Sequence, residues 1–398
     1  MKAKNRTIHY TAINVAYFAA YSTAHAYAAV FLLDRGFSNT SIGIILALAN
    51  VLSVIFQPMV AGLIDKYEAF TNRKVSLICA LACALCCASL YFIRAIYPIF
   101  ILYVVLYMLQ MLYQPLIQAM NFEYIAKGDK INFGLARGLG SCGFAITSLI
   151  VGKLLVFAGV SSLQIVNVIA FLFGALMLLL FIPTKDDSKE DEAKASIESV
   201  GEAHNSLISF IKCYPMFMLF VLGGTFLFFA HNALNDYLIQ IITPLGGDAS
   251  IMGQMVMIAA LLELPAMAAF ASVEKKTGLK SILYLSGIMF TVKTALMLFA
   301  NNLVMAYLSQ ICQIFAYALF IPGGAYLAER VMSDLDKTKG QAYVNCAITL
   351  GGVFSALICG RLLDVFGVHR MLLVSTIVGA IGTILLVIAI RKVEFKNV

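Results

Sequence analysis

The chain has 398 residues, 61% of them hydrophobic and 12% charged, about half the roughly 25% charge usual in soluble domains. A soluble fold of this length could not hide so much apolar surface, so the composition excludes a soluble enzyme or binding module and makes the bilayer the solvent. The net charge of +7 lies in short loops between apolar runs, where membrane topology accounts for it and nucleic-acid binding does not.

Apolar runs of spanning length predict twelve helices, at residues 8–33, 39–64, 75–94, 97–126, 133–157, 163–183, 214–243, 250–272, 280–299, 302–331, 341–366 and 370–391. Lys2, Lys4 and Arg6 lead straight into the first run with no small-residue cleavage site, so no cleavable signal peptide is expected. The polar stretch Thr184–Asn205, with its run of mixed charge from Lys185 to Glu192, reads as a flexible linker. The expected organisation is an all-α membrane protein: a six-helix bundle over 1–183, a cytoplasmic linker over 184–212 and a second six-helix bundle over 213–398. With the N-terminus inside, 21 of the 28 Lys and Arg fall on the inner side and 5 on the outer, Arg137 and Lys293 being left within spans. That asymmetry places both termini in the cytoplasm and the chain in the cell membrane.

The two halves repeat. Gly152-Lys153-Leu154-Leu155 with Gly159-Val160 returns as Gly360-Arg361-Leu362-Leu363 with Gly367-Val368, an offset of 208. Pro58 returns as Pro265 and Pro115 as Pro322, each at 207. A parallel six-span repeat is the architecture of carriers that rock two halves about a central site.

Charged and polar groups at bilayer depth cost at least about 2.5–3.5 kcal/mol and call for a role. In span one, His25 reads as a packed, hydrogen-bonded histidine that could match a partner in span seven. After span two, Gly62-Leu63-Ile64-Asp65-Lys66 makes a tight turn whose acid, Asp65, is a gating candidate, or else a solvated loop charge. Cys79, Cys83, Cys86 and Cys87 in span three read as small packing residues. No His or carboxylate accompanies them, so no metal site is expected, and no phosphate loop or zinc-spaced cluster points to a cofactor. Span four carries Gln110, Gln114, Gln118 and Asn121 along one face, a stripe suited to a hydroxyl-rich solute or to interhelical bonds. Glu123 and Arg137 are expected to face each other across the turn 127–132 as a structural or gating pair. In the alternative, Arg137 offers its fork of donors to substrate.

On span seven, His231, Asn232, Asn235 and Asp236 form a polar stripe that should face a central cavity. The segment also fits an H-x4-D acyltransferase pattern, but a five-residue separation on a helix turns the two groups apart, so no enzyme is expected. Glu263 of span eight and Lys293 of span nine are near mid-depth. They read either as a neutralising ion pair or as the proton-coupling site, with Glu263 taking up the proton. Span ten contributes Gln310 and Gln313.

Twelve spans, the repeat and Gly62-Leu63-Ile64-Asp65-Lys66 together resemble the major facilitator superfamily, although the turn is one residue short of that family's signature and has Glu68 in place of its second Gly. The stretch from Phe133 to Phe144 (FGLARGLGSCGF) resembles the start of span five in the lactose-permease group of oligosaccharide–proton symporters. The resemblance implies that Arg137 contacts sugar, that Phe144 stands where a Trp stacks on the sugar ring, and that Gln118 falls near a sugar-binding Glu. It also makes Glu263 the counterpart of a span-eight carboxylate and Lys293 that of a span-nine Arg. The His and Glu of span ten in that group appear here as Gln313 and Ala316, which puts the same proton route and a galactoside preference in doubt.

The expected function is therefore proton-coupled uptake of a small polar, sugar-like solute by alternating access, in a monomer whose partners are the solute and the lipid bilayer. Arg137, Gln118, Asn121, Phe144, His231, Asn235 and Gln313 would bind solute. Glu263, Lys293 and Asp236 would couple protons, and Asp65 and Glu123 would gate. The alternatives are a proton-driven exporter of amphipathic or drug-like compounds and a solute sensor without flux.

Overall fold

In hydrocarbon a backbone N–H or C=O must be satisfied within its own segment, and the apolar runs accordingly close into helices. A computed structural model of the chain describes residues 6–67, 69–182, 207–333 and 335–395. Among these, ten helices are long and apolar enough to cross a membrane, and the bent pair Thr7–Ala26 and Ala28–Asp34 makes an eleventh span. The helix Lys337–Lys392 has 56 residues and contains Gly367 at φ 77° and ψ 178°. A straight helix of that length would measure about 84 Å. The glycine therefore ends one span and begins the next, bringing the total to twelve.

Span one breaks at a π turn, Ser22–Ala26. Spans two to six are Asn39–Lys66, Asn72–Phe92, Ile96–Ala126, Phe133–Ala158 and Ser162–Leu180. A short helix, Leu207–Cys213, precedes span seven, Pro215–Asp236; span eight is Ala249–Thr277 and span nine Leu279–Leu298. Span ten runs from Leu303 to Val331 through a 3-10 turn at Cys312–Ile314. Residues 183–206 of the expected linker lie outside the described residues. Helix starts follow side-chain capping: Ser38, Thr71, Asn132 and Asn302 each accept a bond from the backbone N–H three residues on.

By contacts the described residues form two compact units. One holds those up to residue 182 together with Ala249–Met257, and the other holds 207–248 and 258–395. Lipid gives helices little hydrophobic reason to associate, so dispersion packing and hydrogen bonds hold each unit together. In the first unit, tyrosine hydroxyls tie span one to span four: Tyr10 donates to Ile117 O at 3.1 Å, Tyr17 to Gln110 O at 3.2 Å and Tyr103 to Ala24 O at 2.8 Å. Pro115 has no N–H to offer the carbonyl one turn back, and Gln57 of span two donates to that carbonyl, Met111 O, at 3.3 Å. In the second unit, Phe220 stacks on Phe320 at 5.2 Å amid buried phenylalanines from spans seven to ten.

The repeat read from sequence reappears in conformation. Gly159 and Gly367 both take the left-handed φ, 79° and 77°, which a side chain would resist. Tyr27 donates to Ser148 O at 2.6 Å, and Tyr237 donates to Ala356 O at 2.7 Å, at offsets of 210 and 208. Arg73 bonds Leu178 O and Leu179 O at the end of span six, and Lys280, 207 residues on, bonds Val393 O after span twelve. Cations at helix C-termini also complement the helix dipole.

Candidate functional site

Each unit carries its own group of polar side chains at bilayer depth. In the first, a Cβ at Gly140 would stand 2.7 Å from the ring of Phe18, so the glycine lets span one come close to span five. The approach puts the Phe18 ring beneath the Arg137 guanidinium at 4.1 Å. Arg137 also donates to Ser141 Oγ at 2.8 Å, one turn along its own helix. A planar cation laid on an aromatic face keeps most of its donors free for a ligand. Phe144, two turns from Arg137, lies 6.0 Å from Tyr21, whose ring stacks on His25 at 4.1 Å.

Span four supplies the stripe expected of it. Gln110 and Asn121 are wholly buried; Gln110 has His25 as its hydrogen-bonding neighbour, while both side-chain amide atoms of Asn121 lack partners. Gln114 and Gln118 are half-buried on the same helix. Bonds within the unit therefore do not account for Asn121, as a purely structural role would require.

The expected Glu123–Arg137 pair does not form. Glu123 is held by Lys127, one turn on, at 3.4 Å and by Asn72 of span three at 3.3 Å. Its carboxylate is satisfied on its own side of the turn, and the guanidinium lies on Phe18 instead. Asp65 is exposed and lines a cleft of about 470 Å³ between spans two and four, with Gln57, Pro58, Asn72 and Pro115.

In the second unit a relay replaces the simple ion pair. Lys293, fully buried, donates to Gln313 Oε1 at 2.6 Å, and Gln313 Nε2 donates to Glu263 Oε1 at 2.7 Å. The amide of Gln313, expected as a solute contact, is engaged at both ends. Ser309 fixes the helix beside it by donating to Lys293 O at 2.8 Å. His231 is buried, stacks on Tyr317 at 5.2 Å and meets Phe228 and Phe290 edge-on at 5.7 Å each. Its Nε2 accepts from Asn235 at 2.7 Å. The ring proton then sits on Nδ1, which has no partner. Asn235 and His231 thus come together as the stripe suggested, while Asp236 closes the helix, half-buried.

Sequence reasoning missed the aromatic walls. Tyr21 and Tyr107 pack against His25, and Tyr317 and Phe290 pack against His231. Only the helical spacing of Tyr107 and Gln110, three apart, could have signalled one shared face. His25, expected to be packed and hydrogen-bonded, is packed against the rings of Tyr21 and Tyr107 and has the Gln110 side chain as its hydrogen-bonding neighbour. Among the described residues no cluster of three His, Cys, Asp or Glu could hold a metal ion.

Comparison with known proteins fits this picture. Residues 8–374 match the MFS_1 like family. An uncharacterized transporter, YwbF, of Bacillus subtilis (strain 168) is 24% identical over 354 residues, 88% of this chain and 84% of that protein. A maltose permease of Geobacillus stearothermophilus is 24% identical over 384 residues, 94% and 92% of the two chains. Among solved structures, the nucleoside transporter NupG superposes with a TM-score of 0.73 at 15% identity, over 97% of this chain and 99% of that one. A D-xylose-proton symporter does so at 0.68 and 16%, over 95% and 96%. At such identities the structures speak for the fold, and the family match extends over most of the chain. The chain belongs to the MFS_1-like family, a group of multi-pass membrane transporters in the major facilitator superfamily.

Proposed function

We propose that this transporter takes up a small, hydroxyl-rich solute of sugar-like character by alternating access, with proton entry as the driving force and both termini in the cytoplasm. The observation that carries the reading is the Lys293–Gln313–Glu263 relay. A carboxylate bonded through a neutral amide to a buried ammonium can gain or lose a proton only if the whole chain of bonds readjusts. Proton binding there changes the relative stability of the transporter's states, which coupling demands. In the first unit the partnerless amide of Asn121, with the open donors of Arg137, suits hydroxyl groups. Names among the relatives and structural neighbours point the same way, one being a maltose permease and another a D-xylose-proton symporter. Asp65 and Glu123, near the ends of spans two and four, are assigned to gating, and Asp236 to the support of coupling.

The test is external pH in lightly buffered, de-energised cells expressing the protein, while sugars, nucleosides and small acids are added singly. Transient alkalinisation with one compound, absent from control cells, is the expected result and names the solute class. Silence across the panel, with the protein confirmed in the membrane, overturns proton-coupled uptake. A second reading, export of amphipathic compounds, is favoured by the aromatic faces of Tyr21, Tyr107, Tyr317 and Phe290. It predicts drug resistance on overexpression in place of uptake.

A further inference from the structure

Span eight ends on Lys275 and Lys276 and span twelve on Arg391 and Lys392, all four exposed. Among the described residues none of these four side chains has a hydrogen bond or an ion pair. The fold draws their helix ends together within the second unit. Lys280, at the start of span nine, donates to Val393 O just past span twelve at 2.8 Å. The ring of Phe395 lies 5.1 Å from Lys280 Nζ and 5.8 Å from the Arg330 guanidinium of span ten. Arg330 pairs in turn with Glu274 of span eight at 2.7 Å. These six cations stand against three acids, Glu274, Glu329 and Glu394. The corresponding cations of the first unit are engaged: Arg73 with Leu178 O and Leu179 O, Lys74 with Ala69 O, and Lys66 with the ring of Tyr67.

Next to the free cations the surface turns apolar. Ile377, Ile381, Ile384 and Ile388 of span twelve are exposed. Their spacing of three or four residues keeps them on one helix face, and the same step beyond Ile388 reaches Arg391 and Lys392. Span nine lies alongside, fixed by a Thr291–Thr383 bond at 2.8 Å and by Thr383 donating to Gly287 O at 2.6 Å. Spans eight and twelve end after even numbers of crossings, so this rim lies at the membrane face that carries the N-terminus. A cationic rim above an aliphatic strip matches a molecule with an anionic head and a long apolar tail. Phosphate suits the rim, since Arg grips it through paired donors and Lys attracts it as a point charge. Basic clusters at a membrane surface attract anionic lipid in this way. A free phosphate would leave the isoleucine strip uncovered.

We propose that the ends of spans eight and twelve form a docking surface for an anionic phospholipid. Its phosphate is held by Lys275, Lys276, Arg391 and Lys392, and one acyl chain lies along the isoleucines of span twelve. The surface is independent of which solute the transporter carries.

Thermal melts of the full-length protein in a neutral detergent, with phosphatidylglycerol or phosphatidylcholine titrated in, test it. Phosphatidylglycerol should raise the melting temperature saturably, as a ligand of the folded state does, and zwitterionic phosphatidylcholine should not. Lys275→Gln with Lys276→Gln, and separately Arg391→Gln with Lys392→Gln, should weaken that binding by about fivefold per cation removed. The two double variants alter different spans, so either one suffices if the other folds poorly, and exposed substitutions of this kind cost little without lipid. Lys153→Gln with Arg361→Gln removes the same charge at the opposite membrane face and should leave the response to phosphatidylglycerol intact. Glycerophosphoglycerol, the headgroup without its acyl chains, should not stabilise at equal concentration. Equal melting temperatures in the two lipids overturn the proposal, as does an equal loss in the opposite-face variant, which would leave only bulk charge. Stabilisation by glycerophosphoglycerol as strong as by the lipid overturns it too, because the strip would then play no part.

Discussion

Lys293 and Gln313 are joined at 2.6 Å by a bond in which a wholly buried ammonium donates to a neutral amide. That donation polarises the amide and strengthens its own bond to Glu263. Gln313→Leu leaves Lys293 buried with its acceptor gone, and the expected loss of stability is about 3–5 kcal/mol. Gln313→Glu gives Lys293 a direct counter-ion and should restore much of the melting temperature while leaving uphill uptake impaired, because the relay is replaced by a fixed pair. Melting curves and vesicle uptake of both variants check this. Equal stability of Gln313→Leu and wild type would show the bond to be unimportant.

Glu263 is the carboxylate at the far end of the relay, accepting from Gln313 at 2.7 Å. Glu263→Gln keeps an acceptor there and removes the proton site. Uphill accumulation should be abolished, while exchange of solute across the membrane continues at a near-normal rate. Counterflow and energised uptake in the same vesicles separate the two activities. Unchanged accumulation removes Glu263 from the coupling mechanism.

Arg137 rests on Phe18 and Glu123 is bonded elsewhere, which makes their energetics separable. A double-mutant cycle of Glu123→Gln with Arg137→Gln should be additive within about 0.3–0.5 kcal/mol. The cycle of Arg137→Gln with Phe18→Ala should instead couple by about 0.5–2 kcal/mol. Thermal melts read both. Coupling of Arg137 to Glu123 in place of Phe18 would reverse the assignment.

What the sequence disclosed was what depends on local chemistry or on repetition. Gly159 and Gly367 were visible as one landmark because both must turn with a positive φ, and the structure gives them 79° and 77°. Glu263 and Lys293 stood out as costly charges at similar depth in consecutive helices. The amide between them did not, since Gln313 is 50 and 20 residues away and nothing local sets the rotation of span ten. Glu123 was paired with Arg137 from proximity along the chain. Helix rotation decided otherwise and turned the carboxylate toward Asn72 and Lys127. The π turn at Ser22–Ala26 has no signature of its own; it depends on Tyr103, Ser148 and Asn167, each from a different helix.

Gly152 of span five and Gly253 of span eight, both in the first unit, meet without room for a methyl group. A Cβ on Gly152 would lie 2.5 Å from Ala249 O and 2.8 Å from the Tyr27 hydroxyl, and one on Gly253 would strike Ser148 O. The Tyr27 hydroxyl is itself committed to Ser148 O at 2.6 Å, so it cannot swing aside without losing that bond. Gly138, earlier in span five, has nothing within 4 Å of such an atom. The same Gly→Ala change should therefore act with opposite sign at two places on one helix. Gly138→Ala gains about 0.5–1 kcal/mol of helix stability, while Gly152→Ala or Gly253→Ala loses about 1–3 kcal/mol through overpacking. Melting temperatures of the three variants decide it. Tyr27→Phe distinguishes clash from lost bonding: it should cost about 0.5–1.5 kcal/mol alone and should not rescue Gly253→Ala, whose collision with the Ser148 carbonyl remains.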